Sequence, residues 1–84
     1  MIGIIILNYN SANDTIKCIS SIRANTKLPF KIYLVDGCSQ DNSFEFLSSY
    51  LYEFENIELI KADYNGGYSY GNNIGIKRAI EDNC

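Results

Sequence analysis

The chain of 84 residues has no histidine, a single proline, only three cysteines and no run of lysine or arginine. Each shortage removes a class of function. Without an imidazole there is no Ser-His-Asp or Cys-His couple to activate a hydrolytic nucleophile. A zinc site would have to rest on Cys18, Cys38 and Cys84, which are far apart and form no Cys-x-x-Cys pair. An odd, widely spaced set of cysteines is no disulfide framework either, so reduced thiols are expected. Cys38 has no base and no evident cation beside it that would favour a thiolate. Seven basic residues against ten acidic ones give a net charge of -3, without the clustered positive charge that marks a nucleic-acid partner. The apolar opening MIGIIIL has no basic flank. Its core is shorter than the ~7–15 residues of a secretory signal and far short of a membrane span. A cytoplasmic chain without a transmembrane segment is the resulting expectation.

What the sequence does have is apolar content, 46% of its residues, enough for one small domain over 1–84 with its own core. Neither an internal repeat nor a linker divides it, and Pro29 sits in the loop-like NTKLPFK. Three apolar runs have strand length: GIIILNY (3–9), KIYLVD (31–36) and NIELIKA (56–62). The first two lack polar alternation, which predicts strands covered on both faces, as in a parallel sheet. Helical spacing falls between and after them. Ile16, Ile19 and Ile22 predict a helix over 13–25, with Asn13 or Asp14 as N-cap. Phe44, Leu47, Leu51 and Phe54 form a stripe over 42–54. A weaker stripe over 70–82, from Tyr70, Ile74, Ala79 and Ile80, is broken by Gly71 and Gly75. The order is βαβαβα. With right-handed crossovers the simplest arrangement is an α/β, three-layer Rossmann-like fragment whose parallel strands run in the order 3-2-1.

Parallel strands send all their C-terminal ends to one edge, where α/β folds gather ligand loops. Residues 8–11, 36–41 and 63–67 are therefore the ones to inspect. Asp36, at the end of the second strand, either accepts hydrogen bonds from a ribose hydroxyl or base N–H, or helps start the turn before the next helix. Ser39 reads as a cap for that helix, and Asp41 as a complement to its positive end. In NGGYSYGNN (65–73), Gly66 and Gly67 allow positive φ and close backbone approach. Neither GxGxxG nor GxxxxGK[ST] occurs, which counts against a dinucleotide-binding domain and a P-loop enzyme. Tyr9 offers either a packing ring or a surface for a planar base.

Taken in order, IIILNYN, LVDGCSQDNS and ADYNGGYSYGNNIGIKRAI, with a helix between the first two, resemble the N-terminal part of the family 2 glycosyltransferases, of the A-type nucleotide-diphospho-sugar fold. Asn65, Gly67, Gly71, Asn73 and Gly75 fit the N-x-G-x-x-x-G-x-N-x-G pattern of the rhamnosyltransferase-like branch. The resemblance covers essentially the whole chain. It implies a UDP- or dTDP-sugar donor. Leu7 would contact the base through its backbone, Tyr9 would stack on or flank a uracil or thymine, and Asp36 would bond the base or ribose. Asn65, Gly67 and Asn73 would shape the wall near ribose and diphosphate. The family more often has Asp-Asn-Gly-Ser or Asp-Asp-Gly-Ser where this chain reads Asp36-Gly37-Cys38-Ser39, which bears on nucleotide preference.

The resemblance also implies a further strand ending in an Asp-x-Asp metal site, for manganese or magnesium, and a later carboxylate base. No Asp-x-Asp occurs in these residues. The expectation is half an active site, inactive alone, cut before the Asp-x-Asp strand and, in the complete enzyme, cytoplasmic or peripheral to a membrane. The order 3-2-1 leaves the first strand with an open apolar edge. Pairing of that edge with another chain, as in a homodimer, or poor solubility is expected.

Overall fold

A computed structural model describes residues 1–83, which form β1 (Ile2–Asn8), α1 (Ala12–Asn25), β2 (Phe30–Asp36), α2 (Ser43–Leu51), β3 (Ile57–Lys61) and α3 (Gly67–Glu81). The strands are parallel and ordered β1-β2-β3, which is 3-2-1 read from the other side. Continuous apolarity goes with the central position. In β2, every residue from Ile32 to Asp36 is buried, while β1, at the edge, is mostly half-buried.

Register divides the side chains between two faces. Ile4 and Ile6 of β1 lie level with Ile32 and Leu34 of β2, which lie level with Ile57 and Leu59 of β3. This row packs on Ile19, Leu47 and Leu51 from α1 and α2. Each fully buried aliphatic side chain there contributes about 2 kcal/mol. The other row, Ile5, Leu7, Tyr33 and Val35, meets α3.

Alpha3 shows why small residues recur in the third segment. Its buried positions are Gly71, Gly75 and Ala79, one row at a spacing of four. A Cβ on Gly71 would stand 2.3 Å from Leu7 Cδ1, and one on Gly75 would stand 2.7 Å from Ile5 Cγ2. The glycines are therefore the packing face of this helix rather than interruptions in it. Ile80, placed on the inner stripe by sequence, is 65% exposed. Helix ends also shift: α1 begins one residue earlier than expected, with Ser11 at the N-cap position in place of Asn13 or Asp14. Alpha2 stops at Leu51, yet Phe54 still reaches the core from the turn beyond it.

Alpha3 is pinned to the sheet by charge. Lys31 Nζ bonds Asp82 Oδ2 at 2.9 Å and Glu58 Oε1 at 3.3 Å, and Arg78 Nε bonds Glu58 Oε2 at 2.7 Å. The Tyr33 hydroxyl donates to Asp82 Oδ2 at 2.7 Å. The Lys31 hydrogen bond, then that of Tyr33, holds the Asp82 carboxyl below its ordinary value of 3.8. A depressed carboxyl stabilises the fold above its unfolded value, and that contribution disappears as pH falls through the folded value. We expect the urea midpoint to drop as pH falls below about 4, and Asp82→Asn to flatten that part of the profile.

Candidate functional site

Asn8, Asp36 and Lys61 are paired in register, so the three loops that follow leave the sheet at one level. The first two are joined from beneath. Asn8 and Asp36 are both completely buried. Asn8 Nδ2 donates to Asp36 Oδ1 at 2.9 Å, while Asn8 Oδ1 accepts from the Thr15 hydroxyl at 2.6 Å and the Ser11 hydroxyl at 3.4 Å. Asp36 Oδ1 also accepts from the Ser39 hydroxyl at 2.6 Å, and Oδ2 from the Ser39 backbone N–H at 2.9 Å. A carboxylate has about four acceptor directions, so one remains on Oδ2. With the side chain buried, a ligand reaches that direction only if the covering atoms move.

Above this pair the loops are braced reciprocally. The Asn10 N–H donates to Ser39 Oγ at 3.0 Å, and Asn10 Oδ1 accepts from the N–H groups of Gln40 at 2.9 Å and Asp41 at 3.3 Å. Asn10 and Cys38 take φ of 53° and 63°, a left-handed conformation that asparagine tolerates and that is uncommon for cysteine. Ser39 is thus not the cap of α2; its hydroxyl belongs to the Asp36 pair, and Asn42 occupies the N-cap position. Asp41 does serve the helix start. It accepts from the Ser43 N–H at 2.8 Å, and bonds from Ser43, its hydroxyl first, keep the Asp41 carboxyl below the usual range. Cys18 and Cys38 are free thiols, and Cys84 lies outside the described residues.

The third loop is fixed by an aromatic pair. Tyr64 and Tyr70 rings lie 4.5 Å apart, and the Tyr70 hydroxyl donates to Asp63. The Asp63 carboxylate, as acceptor, pushes the phenol up to about 12. Asn65 Oδ1 accepts from the Gly67 N–H at 3.2 Å, and Gly67, with φ of 87°, turns the chain into α3.

Of the residues singled out by sequence, Tyr9 is partly exposed at the rim, and a Cβ on Gly37 would stand 3.9 Å from its Cβ, so it sits against the Asp36 loop. Leu7 is half-buried beneath Gly71. Asn65 and Gly67 share the third loop, whereas Asn73 is exposed about 9 Å along α3 from it. Asn8 and Asn10 lie at the expected edge, and the sequence alone assigns them no role. The signal for Asn8 was its carboxamide at the end of an otherwise apolar strand. A depression of about 550 Å³ lies between the first turns of α1 and α2, lined in part by Asp14 and Asp41. Two carboxylates make it unsuited to a diphosphate.

The sequence has relatives of known class. The sequence model of Glycosyl transferase family 2 matches residues 3–82. The chain belongs to this family. It is similar to Glycosyltransferase GlyG of Streptococcus pneumoniae, 27% identical over 79 residues that make up 94% of this chain and 26% of that protein. It is also similar to Glycosyltransferase AglE of Haloferax volcanii, 28% identical over 80 residues, 93% of this chain and 26% of that one. This family 2 chain therefore spans about a quarter of the length of these relatives.

Family 2 enzymes are expected to use a divalent ion, and the donors at this rim do not fit one. Asp36 is engaged by Asn8 and Ser39, Asp41 by Ser43, and Asp63 by Tyr70. Among the described residues, no group of three or more carboxylates or thiols is placed to hold a metal. No helix of the described residues is long and apolar enough to cross a membrane.

Proposed function

We propose that this chain is the nucleotide-diphospho-sugar-binding portion of an inverting glycosyltransferase that transfers a sugar to a glycan or lipid-linked acceptor. The observation that carries the reading is the pair of braced loops, with the Asp36 carboxylate beneath the rim and the Tyr9 ring upon it, in a chain of this family. Tyr9 stacks on or flanks a uracil or thymine, the Leu7 backbone meets its edge, and Asp36 Oδ2 accepts from the base or ribose. Asn65, Gly67 and Asn73 form the wall toward ribose and diphosphate. The chain's contribution is to bind and orient the donor, and no residue in it is assigned as the base that deprotonates the acceptor. Calorimetric titration with UDP, dTDP and NAD tests this. Heat of binding with UDP or dTDP and none with NAD is the expected result, and silence with both pyrimidine nucleotides would sink the proposal.

A second reading, a non-catalytic module that assembles through its sheet, draws on the open edge of β1. On α3, Ile74 and Arg78 flank the β3 side with Ile60 and Glu58. Ile76 and Ile80, which do not share that flank, are 46% and 65% exposed. Among the described residues the outer edge of β1 is unpaired, and an open strand edge with exposed isoleucines on the same molecule favours association. Light scattering should then show a concentration-dependent dimer that Ile76→Glu with Ile80→Glu returns to monomer. A monodisperse monomer at all concentrations would refute the homodimer.

A further inference from the structure

We infer that Asn8 is a positioning residue for nucleotide binding, acting through Asp36; this rests on the donor-site reading above. Three observations converge on it. Asn8 is fully buried and both ends of its carboxamide are engaged within the chain, the nitrogen by Asp36 and the oxygen by Thr15 and Ser11. Its amide nitrogen donates to one oxygen only of Asp36, and the Ser39 hydroxyl shares that same oxygen. The acceptor direction left over is therefore on Oδ2, and Asn8 determines which oxygen is spent inside and which is kept for the rim. Its own orientation is fixed by the same carboxylate. A flipped amide would aim an oxygen at the Asp36 carboxylate, so the nitrogen faces Asp36. The Thr15 and Ser11 hydroxyls, which can donate or accept, then donate to the Asn8 Oδ1 that is left.

The chain of bonds continues outward. Asp36 holds Ser39, Ser39 holds the Asn10 backbone, and Asn10 holds the N–H groups of Gln40 and Asp41. Loss of the Asn8 amide leaves Oδ1 held by the Ser39 hydroxyl alone and removes the bond that ties the first loop's strand to the second. Side-chain amides and hydroxyls thus do the pre-organising that lets one buried carboxylate select a donor N–H or O–H.

A double-mutant cycle read as UDP affinity tests the inference. Asn8→Leu keeps the volume and removes the donor; about tenfold weaker binding is expected in the parent and less than about twofold in an Asp36→Asn background, because the effect travels through that carboxylate. Equal weakening in both backgrounds, or none in the parent, overturns it. Should Asn8→Leu fail to fold, the exchange Asn8→Asp with Asp36→Asn retains one carboxylate, one amide and an acceptor for Thr15. That variant should melt close to the parent yet bind as weakly as Asp36→Asn alone; parental affinity overturns the inference. If the parent binds UDP and Asp36→Asn weakens it while both Asn8 variants bind normally, the positioning role fails alone. If the parent binds neither UDP nor dTDP, the donor-site reading fails and takes this inference with it.

Discussion

Gly75→Ala is expected to lower stability by about 1–3 kcal/mol, measured as a shift in urea midpoint with an unchanged slope. The sign is the informative part. In an exposed helix interior the same change would stabilise by about 1 kcal/mol, because alanine loses less backbone freedom than glycine. At Gly75 the new methyl would meet Ile5 Cγ2 at 2.7 Å, with Ile5 Cδ1 and Val35 Cγ2 at 3.3 Å. Ile5 is β-branched and stiff at χ1, and Val35 is fully buried in the central strand, so neither side chain yields easily. Alpha3 must then rise from the sheet, which stretches the Arg78 and Asp82 contacts further along it. Gly71→Ala is expected to cost less, although its Cβ would be closer to a neighbour. The atom it meets is the terminal methyl of Leu7, which can escape by changing rotamer. A stabilised Gly75→Ala would show that α3 does not sit this close to β1 and β2.

The glycines also mark the boundary of what the sequence could reveal. Strands and their order were legible because an unbroken apolar run such as IYLV has few stable placements other than the middle of a covered sheet. Alpha1 and α2 were legible from isoleucine and leucine stripes. The third stripe was misplaced because periodicity counts side chains, whereas this helix buries the absence of them. By periodicity Gly71 and Gly75 are breaks and Ile80 faces inward; in the fold the glycines are buried and Ile80 faces out. A comparable limit applies at the rim. Asp36 and Tyr9 were visible as chemistry at a strand end, but the partners of a polar side chain depend on which loop lies opposite. Ser39 illustrates this: three residues after Asp36 it looks like a cap, yet Asp36 and Asn10 claim it first. No spacing rule links Asn8 to Asp36, 28 positions apart, before the register of β1 on β2 is known.

Asp36→Ala is expected to abolish UDP and dTDP binding, a loss of more than about a hundredfold, or some 3 kcal/mol. It should also cost the fold about 3 kcal/mol, since it strands the Asn8 amide and both donors of Ser39 without a buried acceptor. That is a large fraction of what a domain of this size has in reserve. The two effects must be separated, and Asp36→Asn does so. Its carboxamide oxygen can keep the two bonds that converge on Oδ1, from Asn8 and Ser39 Oγ, at 2.9 and 2.6 Å. The amide nitrogen then faces the Ser39 N–H, a donor against a donor, and presents hydrogens where the ligand needs an acceptor. Thermal melts should therefore place Asp36→Asn between the parent and Asp36→Ala, while calorimetry should find Asp36→Asn clearly weakened for nucleotide. If Asp36→Asn binds UDP as the parent does, the carboxylate serves only to close the turn between β2 and α2. The rim would then hold a nucleotide through Tyr9 and the strand-end backbone, with Asp36 acting solely as their anchor.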